Sequence, residues 1–521
     1  MQESSDARTW SPPKDTRFGL PDDAMDGGRR PRTTRTIRLF VVIAWIAIAA
    51  VIVVGLVEAA WKNSELKHDP NPEDPVGMVL MRMQMRYIVG ASEVTPDTGM
   101  LFQSAQSMNV GTLGQRQCFV PVAAEIAGRE KAHEVLADLQ RDIDDMEARD
   151  TDPKFELTEE QRNVNAALEA LYGDASLDGP TAVAQLTDDQ RAVLEQELEW
   201  FGELALLPEG IDDAAARQSM LAPAMRMVAV MVAVAVLGIG LGVIGFIGLI
   251  VMIVMLAQGK FASSITPGRV AHGIYAETFA IWLVAFMLLQ VGLGVLFDQK
   301  VLPESMAMPA TLAAFFGSLV VLAWPVMRGA NFSDVRKDIG WTLGRTPALE
   351  PLFGPMFYVI GLPILGLGVA CTFLLMVLQG AFTFGAGGAE SLFAPTGGPA
   401  HPVVLDMAAG DWSARIMLLL LAAVAAPIVE ETMFRGVLYR HLRDGFRPMA
   451  FVLNVMASTA LSSFVFAIIH PQGWVAAPVL MSLATVFCLA REWRGTLIPS
   501  MLVHGISNGI VMTMLLVVLS G

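Results

Sequence analysis

From Met225 onward the chain is a succession of apolar runs, each long enough to cross a bilayer as a helix: 225–256, 276–297, 309–327, 354–380, 411–435, 449–469, 474–490 and 496–519. One more run, Ile37–Ala60, follows a hydrophilic N-terminal stretch. A secretory signal would carry its short apolar core and cleavage site nearer the start, so 37–60 reads as an uncleaved signal anchor. The composition, 54% hydrophobic and 17% charged, is too apolar for a soluble protein. The fold class that follows is all-α: a polytopic transmembrane helix bundle of about nine spans. The first of the later runs, 225–256, is overlong and must tilt or extend beyond the bilayer.

Residues 62–221 interrupt this pattern. They are mostly polar and acidic, and 123–149, 157–171 and 187–206 show apolar residues at helical spacing. Thr158 and Thr187, each followed by acidic residues, read as helix N-caps. Trp200, Phe201, Leu204 and Leu206 read as core of a small, helical extramembrane domain inserted after the first span. Positive charge sets the orientation. Arg29, Arg30, Arg32, Arg35 and Arg38 precede the anchor, making 1–36 a basic cytoplasmic tail. Lys260/Arg269, Arg328/Arg336/Lys337/Arg345, Arg440/Arg443/Arg447 and Arg491/Arg494 then fall on that same side, while 298–308 and 381–410 are poor in Lys and Arg. The acidic domain is thereby predicted to lie outside the cytoplasm of a bacterial-type cell membrane. The net charge of −15 is split between these segments and offers no footprint for nucleic acid.

Three patterns carry little. Gly240-x-Gly242-x-x-Gly245 matches a dinucleotide fingerprint but lies inside an apolar run, and Gly238 and Gly242, four apart, suit close helix packing instead. Asn331-Phe332-Ser333 falls on the predicted cytoplasmic side. Cys118, Cys371 and Cys488 are isolated and read as buried, inert thiols.

Ionisable residues inside apolar spans are costly and mark candidate sites. Most spans have none, and the exceptions gather in the last quarter. In Glu430-Glu431-Thr432-Met433-Phe434-Arg435, Glu431 and Arg435 are i,i+4 neighbours able to neutralise each other. Glu430 is turned about 100° away without a basic partner at that spacing, as a general base requires. Phe466 and His470 share a helix face, and Pro471 ends that helix. His504 and Asn508 lie one turn apart; both can donate to an oxyanion, His504 can bind a metal, and the pair can equally bond helices together.

The order EExxxR, FxxxH, HxxxN over consecutive spans resembles the CPBP family, which includes the type II CAAX prenyl endopeptidases and many bacterial relatives. The resemblance covers residues 411–520 and leaves 225–380 as a bundle of unknown role. It implies an intramembrane endopeptidase in which Glu430 activates water, His470 assists, and His504 and Asn508 flank the scissile carbonyl. Glu431, Arg435 and Phe466 match positions that shape the site. Glu430, His470 and His504 would suit a divalent metal such as Zn2+ as well as a glutamate–water mechanism, and membrane lipid and a peptide or membrane-protein substrate are the implied partners. Straight full-length helices would hold Glu430 and His470 apart. A Glu430 helix running on to about Arg443 would set Glu430 deeper, and a short or strongly tilted helix, or a break at Pro471, must bring His470 back to it. Two other classes compete: a silent family member acting as a membrane scaffold or immunity protein, and a proton-coupled transporter. The transporter would show internal repeats that are absent from the sequence.

Overall fold

A computed structural model describes residues 35–519, apart from 69–70, 72, 96, 107–108, 110, 149–153, 261–262, 385–405 and 409. The tail 1–34, with Arg29, Arg30 and Arg32, and most of 381–410 lie outside the described residues. Among the described residues all regular structure is helical, and nine helices are long and apolar enough to cross a membrane. The protein is an integral membrane helix bundle carrying an extramembrane domain.

The domain follows α1 (Arg35–His68) and comprises α2 (Pro75–Ser92), α3 (Gly99–Gln106), α4 (Leu113–Ala127), α5 (Arg129–Ala148), α6 (Glu159–Tyr172), α7 (Gly179–Gln185), α8 (Asp188–Leu198) and α9 (Trp200–Leu206). Thr158 and Thr187 cap α6 and α8 in reciprocal capping boxes with Gln161 and Gln190, and Thr112 does the same for α4 with Gln115. The expected helices 123–149 and 187–206 are each broken in two. Gly128 at φ 88° separates α4 from α5, and Glu199 at φ 49° separates α8 from α9. Phe119, Leu136, Leu168, Trp200, Phe201 and Leu204 form one core, to which the first turns of the next helix add Met220, Leu221 and Ala224.

That helix, α10 (Ala214–Ala257), runs unbroken through the domain boundary drawn at 221–225. It is a single rod of 44 residues, about 66 Å long. Its N-terminal third belongs to the domain, where Trp200 Nε1 donates to the Met220 carbonyl (3.3 Å), and the rest is apolar. The remaining helices are α11 (Ile274–Asp298), α12 (Glu304–Met327), α13 (Phe332–Ile339), α14 (Glu350–Phe384), α15 (Trp412–Gly445), α16 (Phe451–Ile468), α17 (Trp474–Arg494) and α18 (Ile498–Leu519).

The glycine expectation also needs correcting. Gly238, Gly240 and Gly242 face open space, whereas Gly245 and Gly248 press α10 onto Val359 and Ile360 of α14. Asn331 caps α13 by accepting from Ser333 N (2.8 Å). Cys118 and Cys488 are buried, but Cys371 is exposed on α14. Nor are ionisable groups confined to the last quarter: Glu277, 4% exposed in α11, accepts from Trp324 Nε1 (3.0 Å) and pairs with Arg328 (3.1 Å).

The site depends on how α14–α18 assemble. α14 packs on α17 and α18, and α16 packs on α17. The helix carrying Glu430 does run past Arg443, to Gly445. α16 has 18 residues, about 27 Å, and its short length returns His470 to the level of Glu430.

Candidate active site

Helix α15 is irregular where it carries the two glutamates. Wide π turns at Leu421–Ala425 and Thr432–Leu438 flank a regular stretch, Ala426–Glu431. Such turns unsettle the usual carbonyl partnering and are common at functional sites. Pro427, which has no N–H, lies just after the first. α18 docks on this loosened stretch. Asn508 Nδ2 donates to the Ala422 carbonyl (2.9 Å), and Gly505 lies so close that a Cβ there would meet the Ala423 carbonyl at 2.5 Å. This docking brings His504, one turn before Asn508, against Glu430 and Glu431.

The expected Glu431–Arg435 pair is present (2.8 Å), with both side chains fully buried. Arg435 also sits in the corner of two perpendicular rings: its guanidinium carbon lies 4.5 Å from the Phe466 centroid and 4.7 Å from that of Phe487. Glu431 Oε1 additionally receives His504 Nδ1 (2.9 Å). His470 Nδ1 lies 2.5 Å from the Phe466 carbonyl, one turn back on the face that the FxxxH spacing predicts. A carbonyl only accepts, so this nitrogen carries the proton. A carboxylate already paired with Arg435 assigns the same tautomer to His504.

Both imidazoles therefore present an Nε2 lone pair inward, and both face Glu430. Its Oε2 lies 3.9 Å from His470 Nε2 and 3.8 Å from His504 Nε2. That oxygen is buried and has no hydrogen-bond partner among the described residues. Glu430 and His470 remain about one-fifth exposed (19% and 20%). Three acceptors converge with no donor between them, which is unfavourable unless a water, a proton or a cation lies there. The separations are beyond direct hydrogen bonds.

The donors are also those of a zinc site built from two histidines and one carboxylate. A tetrahedral shell at about 2.0–2.1 Å would put neighbouring donors roughly 3.4 Å apart, somewhat closer than the separations seen. Among the described residues no three His, Cys, Asp or Glu side chains are grouped tightly enough to enclose a metal.

Five of the residues singled out from the sequence, with Phe466 as their aromatic floor, thus meet at one place: Glu430, Glu431, Arg435, His470 and His504. Asn508 is directed differently. One of its amide hydrogens is engaged by the Ala422 carbonyl. Sequence reasoning missed Phe487, which stacks on His504, and the Gly505 contact. A lone aromatic within an apolar run and a glycine within a helix gave no signal.

Comparison with known proteins matches the C-terminal stretch of the chain. Residues 412–510 match the family described as type II CAAX prenyl endopeptidase Rce1-like. Over 89 residues the chain is 29% identical to the membrane-embedded CAAX protease MroQ of Staphylococcus aureus (strain USA300), covering 17% of this chain and 35% of that one. The chain therefore spans about a third of the length of the curated relative it matches. No solved structure matches.

Proposed function

We propose that the C-terminal bundle, a domain of the CPBP family, hydrolyses a peptide bond at membrane depth with a water held between Glu430, His470 and His504. The observation carrying this reading is the donor-free meeting of Glu430 Oε2 with two imidazole lone pairs at 3.8 and 3.9 Å. A water seated there donates to Glu430, which takes its proton as the oxygen attacks the scissile carbonyl and then returns it to the leaving amine. Glu431, neutralised by Arg435, holds the His504 tautomer and would stabilise its imidazolium as charge develops. The amide of Asn508 is a donor available to an oxyanion, and His504 Nε2 would join it once that imidazole takes up a second proton from solvent.

If a divalent metal binds, Glu430, His470 and His504 would hold it after a slight contraction, and it would supply acidity to the bound water. Lipid surrounds the site. The substrate is a peptide or membrane protein, with prenylated CAAX sequences as one class to test. The charge bias supports an N-terminus in the cytoplasm and residues 62–221 outside it.

The test uses the full chain in proteoliposomes with quenched transmembrane peptides, with and without a farnesylated CAAX end, in (18)O-labelled water. Cleavage that places (18)O in the new carboxyl terminus is expected. Loss of cleavage with 1,10-phenanthroline would assign the metal form. An intact peptide panel under all conditions contradicts the reading.

A further inference from the structure

The hydrogen bond between His504 Nδ1 and Glu431 fixes where His504 is anchored, but it does not fix the plane of its ring. An imidazole held at Nδ1 by Glu431 can still swivel about that bond, and a modest swivel would turn Nε2 away from Glu430. The surroundings of His504 remove this freedom. The Phe487 ring lies parallel to the imidazole, 4.8 Å between centroids and 16° between planes. Phe466 meets the imidazole edge-on at 5.9 Å and 80°. The same Phe487 ring bears the Arg435 guanidinium at 4.7 Å, is itself met edge-on by Phe466 at 6.4 Å, and is 1% exposed. Phe487 belongs to α17, which supplies none of the ionisable site residues.

We infer that Phe487 is a positioning residue: one flat surface that sets the ring plane of His504 and the seat of its supporting Arg435, and so keeps Nε2 of His504 aimed at Glu430. The inference rests on the hydrolytic reading above. Stacking and cation–π contacts of this kind each contribute modestly, but their effect here is on direction. Apolar bulk alone would fill the space without defining a plane.

The variants follow from that distinction. Phe487→Met and Phe487→Leu keep apolar bulk and lose the flat face, and Phe487→Tyr keeps the face. In proteoliposomes, with a peptide cleaved by the wild type, both aliphatic variants are expected to lose about tenfold or more in kcat, the usual penalty for disturbing a supporting group. KM should change by no more than about twofold, because a misdirected group affects the transition state and leaves ground-state binding intact. Phe487→Tyr should recover most of the rate. Nitrogen NMR of (15)N-histidine-labelled full chain in nanodiscs should show His504 as a single Nδ1–H tautomer in the wild type and Phe487→Tyr, and as a tautomer mixture in the aliphatic variants. A variant that matches wild-type kcat and retains the single tautomer overturns the inference. If the wild type cleaves no peptide the hydrolytic reading fails, and the tautomer measurement alone then decides whether Phe487 orients His504.

Discussion

On the outer face of α5 in the extramembrane domain, Asp138 and Arg141 pair at 61% and 74% exposure, while Phe119, Leu136 and Phe201 lie inside and Arg86 is the buried exception on α2. In the C-terminal bundle the arrangement is inverted. Glu431 and Arg435 pair at zero exposure, while Val452, Leu453 and Met456 of α16 face outward. The same element, the helix, is used under opposite solvents. Water drives apolar groups inward in the domain and makes its ion pairs nearly neutral to stability. Where hydrocarbon lies outside, apolar exposure costs little, and an ion pair is tolerable only inside, where its charges meet. Charge in the domain thus serves solubility, and charge in the bundle is retained only where geometry holds it.

The contrast can be pressed by breaking single contacts on each side of it. The largest expected effect is Arg435→Ala, which strands Glu431 as a buried charge and should lower stability in detergent by about 3–5 kcal/mol. A thermal unfolding shift no larger than that of a surface variant would refute the burial argument. Gly505→Ala forces a methyl onto the Ala423 carbonyl and should cost about 1–3 kcal/mol; the same scan reads it, with a loss of cleavage in parallel. In the domain, Thr187→Ala removes one side of a capping box and should cost about 1 kcal/mol. Asp138→Asn removes a surface partner and should change stability by no more than about 0.2–1 kcal/mol.

Cys118 gives a way to read the last two in the full chain. Burial pushes its thiol up to about 12, so at mildly alkaline pH it should resist iodoacetamide until the domain opens. Rapid alkylation of the native protein would show that the domain core is looser than its packing indicates.

The same contrast explains what could be read before the structure. Glu430, His470 and His504 stood out because ionisable residues in apolar runs need a reason. The Glu431–Arg435 pairing followed from helical spacing alone. Thr158 and Thr187 were legible because caps are local chemistry. What could not be read was long-range or conformational. The π turns around Ala426–Glu431 leave no mark in the apolar pattern, and only the assembled bundle shows that Asn508 and Gly505 meet Ala422 and Ala423. Phe487 is one aromatic among many until it is seen against His504. The breaks at Gly128 and Glu199 escaped because periodicity runs through a single residue of unusual φ without a mark. Gly238 and Gly242 carried a packing pattern, yet Gly245 and Gly248 make the contact.

The central claim is that Glu430, lacking a counter-ion and facing two imidazole lone pairs, accepts the proton of the attacking water. The direct measurement is turnover of a cleavable peptide by wild type and Glu430→Gln, inserted to equal levels in the same proteoliposomes. Gln preserves shape and removes the proton acceptor, so the account predicts a loss of about 10²–10⁴-fold with the fold intact. Wild-type turnover by Glu430→Gln would contradict it.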